Sequence, residues 1–376
     1  MKFFRYLSCF VFVLMVFLPI FAGAQELVDE KSEVLKAKVL EVLDQKNIIL
    51  PGTDTAGFSQ TIKVQILEGD KSGEIVAIEN DYIMLEKGDR FFIFHSVDSF
   101  DGVDRYVVHD VDRRLVVLSF VLLFVVVVML FSGKQGLRSL LGLFGSFFVI
   151  LYVLIPSLLK GYPPILTSII VATAILFFAI YLTHGFNRIS TIAFSGTVFA
   201  VVLTGILAYV GVELAQFTGF VSEESFYLNL NTRGTLDFTG LLLGGIMIGV
   251  LGVLDDIAIT QSAVVRELYH SAPHLSKKEV YRKAIRVGRD HVGALVNTLA
   301  LAYTGTSLPL LLLFFSTDSS MSDIINREVF ATEIIRTVVG SIGLIMTVPI
   351  TTFLAVYFLK DYKGKIDSST HIGHIH

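Results

Sequence analysis

Two hydrophobic periods divide the chain. Between residues 25 and 112 apolar and polar positions alternate, as in Lys36-Ala37-Lys38-Val39-Leu40-Glu41-Val42 and Thr61-Ile62-Lys63-Val64-Gln65-Ile66, which is the period of a half-buried strand. Further short strands are expected at about 74–78, 90–94 and 106–111, separated by the turn signals Pro51-Gly52, Glu68-Gly69-Asp70 and Lys87-Gly88-Asp89. Five short strands in under ninety residues predict a small all-β domain, an OB-like or SH3-like barrel, because closure removes exposed sheet edges. From Leu115 onward the alternation gives way to long apolar runs. They predict seven transmembrane helices, at about 115–131, 139–159, 165–182, 189–210, 238–258, 291–315 and 334–358, each near the roughly 20 residues that cross a bilayer.

Ahead of the strands, Lys2 and Arg5 precede an apolar run from Leu7 to Phe21 and then Ala22-Gly23-Ala24, the pattern of a secretory signal over residues 1–24. An uncleaved first span is the rival reading. Either way residues 25–112 are expected outside, followed by a membrane domain over 113–360 and a polar inner tail over 361–376. The positive-inside rule agrees: the loops assigned to the inner side, including a basic loop at 259–290, hold thirteen Lys and Arg, whereas the outer loops hold Lys160, Arg233 and Arg327. The location expected is a bacterial plasma membrane.

Composition changes this picture only by exclusion. Of 376 residues 53% are hydrophobic and 17% charged, against about 25% charged in soluble domains, so a soluble enzyme is excluded. A net charge of -4 gives no electrostatic reason for a nucleic-acid partner. Cys9 has no second cysteine to pair with, which excludes a disulfide framework and a cysteine metal site. His95 and His109 lack metal-ligand spacing and read as solvated or packing residues. No nucleotide-binding loop, zinc motif, intramembrane-protease motif or nucleophile elbow is present, so neither an enzyme nor a cofactor is expected.

The candidate chemistry lies in the run from Phe238 to Val265, where Asp255 and Asp256 interrupt apolar sequence. A carboxylate at membrane depth is expensive unless hydrated, paired or protonated, and such residues read as functional by default. The bland alternative ends the span at Leu254 and makes the pair a cap on an inner helix. In the next, antiparallel span Asn297 and Thr298 reach about the same depth, so a polar contact across the hairpin is expected to relieve the burial of a carboxylate. Between the two spans, Lys277, Lys278, Arg282, Lys283, Arg286 and Arg289 interleave with Val280, Ala284, Ile285 and Val287, an amphipathic helix expected to lie along the inner surface on anionic lipid. Arg336 is expected to pair structurally with Glu333, Glu213 or Asp237 at the outer boundary. The acidic residues of the outer loops read as solubilising.

The order of exported β-domain, with Val64-Gln65-Ile66-Leu67-Glu68-Gly69 and Glu86-Lys87-Gly88-Asp89-Arg90, then a polytopic domain containing Gly249-Val250-Leu251-Gly252-Val253-Leu254-Asp255-Asp256, resembles the YibE/F-like bacterial membrane proteins. A weaker likeness over about 245–315, from the Gly-rich span through Asp255-Asp256 to Asn297-Thr298 and Leu308-Pro309-Leu310, is similar to SecD/SecF and the resistance-nodulation-division permeases. That likeness implies ion-coupled conformational change, although the large exported domain of such permeases is missing at Lys160-Gly161-Tyr162-Pro163-Pro164. The function expected is a permease or translocation-associated protein, proton- or ion-coupled, with Asp255, Asp256, Asn297 and Thr298 as the coupling group. The alternative is a scaffold or sensor whose β-domain binds a partner. Lipid is the expected partner, together with a second copy or a partner membrane subunit.

Overall fold

A computed structural model describes residues 32–49, 56–97, 103–316 and 320–360. The expected signal over 1–24 and the polar tail over 361–376 lie outside the described residues. The chain divides into two compact units, residues 1–124 and 125–376.

The first unit is a five-stranded antiparallel sheet of β1 (Ser32–Ile49), β2 (Ala56–Ile66), β3 (Ile75–Asn80), β4 (Arg90–Val97) and β5 (Asp104–Val111), in spatial order β3-β2-β1-β4-β5. All five expected strands are present. Because β4 returns to the far side of β1, the order is a Greek key, and the edge strands β3 and β5 approach without pairing, giving a half-barrel. The alternation read in the sequence fills it: Leu35, Ala37 and Val39 face inward with Ile62, Val64, Ile66, Phe91 and Ile93. The long β3–β4 connection is pinned by buried Gln60, whose amide donates to the Leu85 carbonyl (3.1 Å) and whose oxygen accepts from Leu85 N and Asn80 Nδ2 (both 3.0 Å).

Ten helices make up the rest of the described chain: α1 (Arg114–Val149), α2 (Ile155–Leu159), α3 (Pro164–His184), α4 (Arg188–Ala215), α5 (Glu223–Asn231), α6 (Phe238–Ser271), α7 (Lys277–Thr306), α8 (Leu308–Phe315), α9 (Met321–Asn326) and α10 (Glu328–Leu359), with a π-helical turn at Ile150–Leu154. Five helical stretches are long and apolar enough to cross a membrane, and six if α7 and α8, bent by 61°, count as one. Two of the seven expected spans share one of these stretches and meet at a local break. Expected spans 115–131 and 139–159 fall within one 46-residue helical stretch, Arg114–Leu159. It is broken at Gly133, whose φ of 53° and ψ of -127° lie outside helical space. The break is sharp, for a Cβ on Gly136 would meet the carbonyl of Val128, eight residues earlier and about 12 Å away in an unbroken helix.

The expected basic loop at 259–290 is largely helical. α6 runs on to Ser271 and α7 starts at Lys277, where Ser276 and Glu279 form a reciprocal capping box. This hairpin packs on α10: Val265 of α6, Val280 and Ala284 of α7, and Ala355, Val356 and Leu359 of α10 share one buried cluster. An apolar face already used in this way is not left for the membrane surface. Gln261 ties the three helices together, its amide donating to the Ala284 carbonyl and to Thr352 Oγ1, each at 2.8 Å.

The centre of the unit is the packing of α4, α6 and α10. Buried Thr197, Thr204, Thr347 and Thr352 each donate to a carbonyl one turn back in their own helix, so the hydroxyls place little demand on neighbours. Gly343 lies against Thr204 so closely that a Cβ there would overlap its hydroxyl. Gly343→Ala is expected to cost about 1–3 kcal/mol by overpacking, read as a lowered thermal midpoint of the full chain in detergent. Thr204→Ala in the same chain should restore part of that loss; an additive double variant would mean that the contact is not the cause.

Candidate functional site

Asp255 and Asp256 lie in mid-helix, roughly 25 Å along α6 from Phe238 at 1.5 Å per residue. The cap reading is therefore excluded, because the residue that caps α6 is Asp237, whose carboxylate accepts from Gly240 N at 2.9 Å. Both aspartates line a cleft of about 390 Å³ between the second half of α1, α3 and α6. Its walls are mainly apolar, with Leu143, Phe147, Ile175, Leu251 and Ile259, and its polar lining adds Ser139, Ser146, Thr183 and His184. The π turn supplies Ile150 to the same wall, a local widening of the kind that re-aims side chains at functional sites. Gly185, at φ 76°, ends α3 directly after His184 and so leaves the imidazole at the rim of the cleft.

None of the ion pairs among the described residues involves Asp255 or Asp256. Their titratable companion in the cleft is His184. Nothing in the local sequence of His184 marks it out, since it reads as the polar end of a span.

Asn297 and Thr298 are placed elsewhere. Both are exposed on α7 and neither lines the cleft; Thr298 Oγ1 donates to the Ala294 carbonyl of its own helix at 3.0 Å. The expected contact across the hairpin is not made among the described residues. Glu333 and Arg336 do pair, Arg336 Nη1 to Glu333 Oε1 at 2.7 Å, both half-buried one turn apart on α10. Of the acidic residues read as solubilising, Glu328 instead accepts from Thr218 N, Thr218 Oγ1 and Gly219 N at 2.7–2.9 Å, fixing the loop after α4. No group of metal-ligating side chains occurs among the described residues.

The family model for YibE/F-like protein matches residues 120–361, nearly two thirds of the chain. The chain belongs to the YibE/F-like family. Neither a curated protein nor a solved structure matches it, and the likeness to SecD/SecF has no counterpart among the matches. The YibE/F-like region contains the whole cleft and the Glu333–Arg336 pair, whereas the half-barrel precedes it.

In that half-barrel, His95, read as a solvated or packing residue, joins a polar cluster. Its Nε2 is 2.7 Å from Asp104 Oδ1; a carboxylate oxygen can only accept, so Nε2 carries the hydrogen. The ring stacks on Tyr106 with centroids 4.9 Å apart, and Nδ1 is 3.9 Å from Glu33 Oε1. Lys71, from the β2–β3 turn, closes the cluster with Asp104 Oδ2 at 2.5 Å and donates to the Tyr106 hydroxyl at 3.2 Å. The Lys71 ammonium, and then the His95 ring, hold the Asp104 carboxyl below its ordinary 3.8. A carboxyl depressed in the folded state stabilises fully above the unfolded value and loses that contribution as pH falls through the folded one. Asp104→Asn is thus expected to speed hydrogen exchange of β4 and β5 amides in the full chain at neutral pH. The gap to wild type should vanish well below pH 3.8. A gap unchanged by acid would show that the carboxylate charge is not what holds the strands.

Proposed function

We propose that this multi-pass membrane protein is a permease or translocation-associated protein of a bacterial plasma membrane, coupled to protons or another small cation at the α1–α3–α6 cleft. The observation that supports this reading is a pair of carboxylates turned into an apolar cleft with no Lys or Arg to neutralise them. A charge in that setting is costly, and binding a proton or cation relieves the cost. Adjacent residues on a helix point about 100° apart, so Asp255 and Asp256 reach different parts of the cleft and can hold a cation in turn. His184 at the rim is the group in this reading that passes protons between water and the pair, since either ring nitrogen can take up or release one. Asn297 and Thr298, outside the cleft, drop out of the coupling group. In this orientation the half-barrel is outside and the C-terminus inside, as the distribution of Lys and Arg favours.

The test is proton movement in proteoliposomes. With a pH gradient imposed and a pH-sensitive dye inside, Asp255→Asn/Asp256→Asn should slow dye response about 10²-fold relative to wild type, the lower end of what one positioned proton-transfer group contributes. His184→Gln should slow it less. Rates for the double variant equal to wild type, at equal reconstitution, would overturn coupling at this pair.

A further inference from the structure

Helix α7 carries a second surface that the cleft does not use. Val280, Ala284, Gly288 and Val292 are buried, and on the opposite side Lys278, Arg282, Arg286 and Arg289 are exposed. Spacings of four, four and three residues keep these four cations within a sector of about 80° at 100° per residue. None of them joins an ion pair among the described residues. Glu279 and Asp290 flank the stripe, and the Glu279 carboxylate is engaged by Ser276 N and Oγ at 2.9 and 2.7 Å.

We propose that this stripe binds the phosphate headgroups of anionic phospholipid, with Arg286 and Arg289 making the main contacts. The identity of the partner follows from position along the helix. Only two residues separate Arg289 from Val292, where apolar sequence begins and continues through Thr306 and, past the bend, to Phe315. The headgroup layer extends about 5–8 Å beyond the hydrocarbon on each side. Arg289, about 4.5 Å beyond Val292, stands within it, and Arg286, about 9 Å beyond, reaches back to it along its side chain; their guanidinium forks suit bidentate phosphate contacts and their stems can lie along the apolar boundary. Lys278 is about 16 Å further along the axis than Arg289, roughly two Debye lengths at physiological salt. A helix lying flat on the membrane would use all four cations equally; an upright helix, held by the α6–α7–α10 cluster, makes their contributions fall with distance.

The full chain, exchanged into mixed phosphatidylglycerol and phosphatidylcholine, tests this by native mass spectrometry of retained lipid. Wild type should prefer phosphatidylglycerol. Arg286→Gln and Arg289→Gln should each lower that preference about fivefold, the equivalent of about 1 kcal/mol per surface charge. Lys278→Gln should lower it by less than about twofold. Arg286→Lys/Arg289→Lys, which keeps the charge and tests folding, should retain most of the preference. An unchanged preference in Arg286→Gln/Arg289→Gln overturns the proposal. So does a loss in Lys278→Gln as large as that in Arg289→Gln, or displacement of phosphatidylglycerol from wild type by inorganic phosphate, which would mark a free-anion site.

Discussion

Gly196 and Gly343 face Thr351 and Thr204 across the α4–α10 contact, and Gly340 faces Val250 across the α6–α10 contact, at separations that leave no room for a Cβ. In a lipid environment, where burying apolar surface drives helix association only weakly, such backbone proximity gains dispersion contacts that larger side chains would forfeit. The threonines along the same seam would be a liability if their hydroxyls needed partners on another helix. For Thr197, Thr204, Thr347 and Thr352, bonding to the preceding turn removes that demand, and α4, α6 and α10 close on each other with Gln261–Thr352 as a polar link between α6 and α10.

This packing decides where polarity can be used. With one side of α6 taken by α4, α7 and α10, the remaining side meets α3 and the second half of α1, and there the cleft forms. Asp255 shares that side with Ile248, Leu251, Gly252 and Ile259, whereas Gly249 and Gln261 turn toward α7, against Tyr303 and the Ala284 carbonyl. The scarcity of charge in the sequence was enough to single out the acidic pair. It was not enough to choose its neighbours: matching depths across an antiparallel hairpin fixes height but leaves rotation about each axis free, so Asn297 and Thr298 fall outside the cleft that His184 lines with the pair.

The half-barrel was the more legible part, because strand side chains obey a period of two that survives every detail of pairing. Its five strands and most of its core can be read from alternation alone. The Lys71–Asp104–His95 cluster cannot, since it joins the β2–β3 turn to a cross-strand register, His95 opposite Tyr106, that no local pattern encodes. The boundary between expected spans 115–131 and 139–159 was legible too, since Gly133 divides the stretch Arg114–Leu159 between them through its backbone geometry.

The two hydrogen bonds donated by Gln261 have a mechanical side. Gln261 lies six residues, or about 9 Å, beyond Asp255 on the same helix, and both its acceptors belong to other helices. Any twist of α6 large enough to turn Asp255 out of the cleft would have to tear this amide away from Ala284 and Thr352 in a buried setting. Gln261 therefore opposes rotation of α6 about its own axis. On the opposite wall, Val171, Ile175 and Leu176 of α3 share an apolar cluster with Leu251 and Leu254 of α6, so that side is held by packing alone in this cluster.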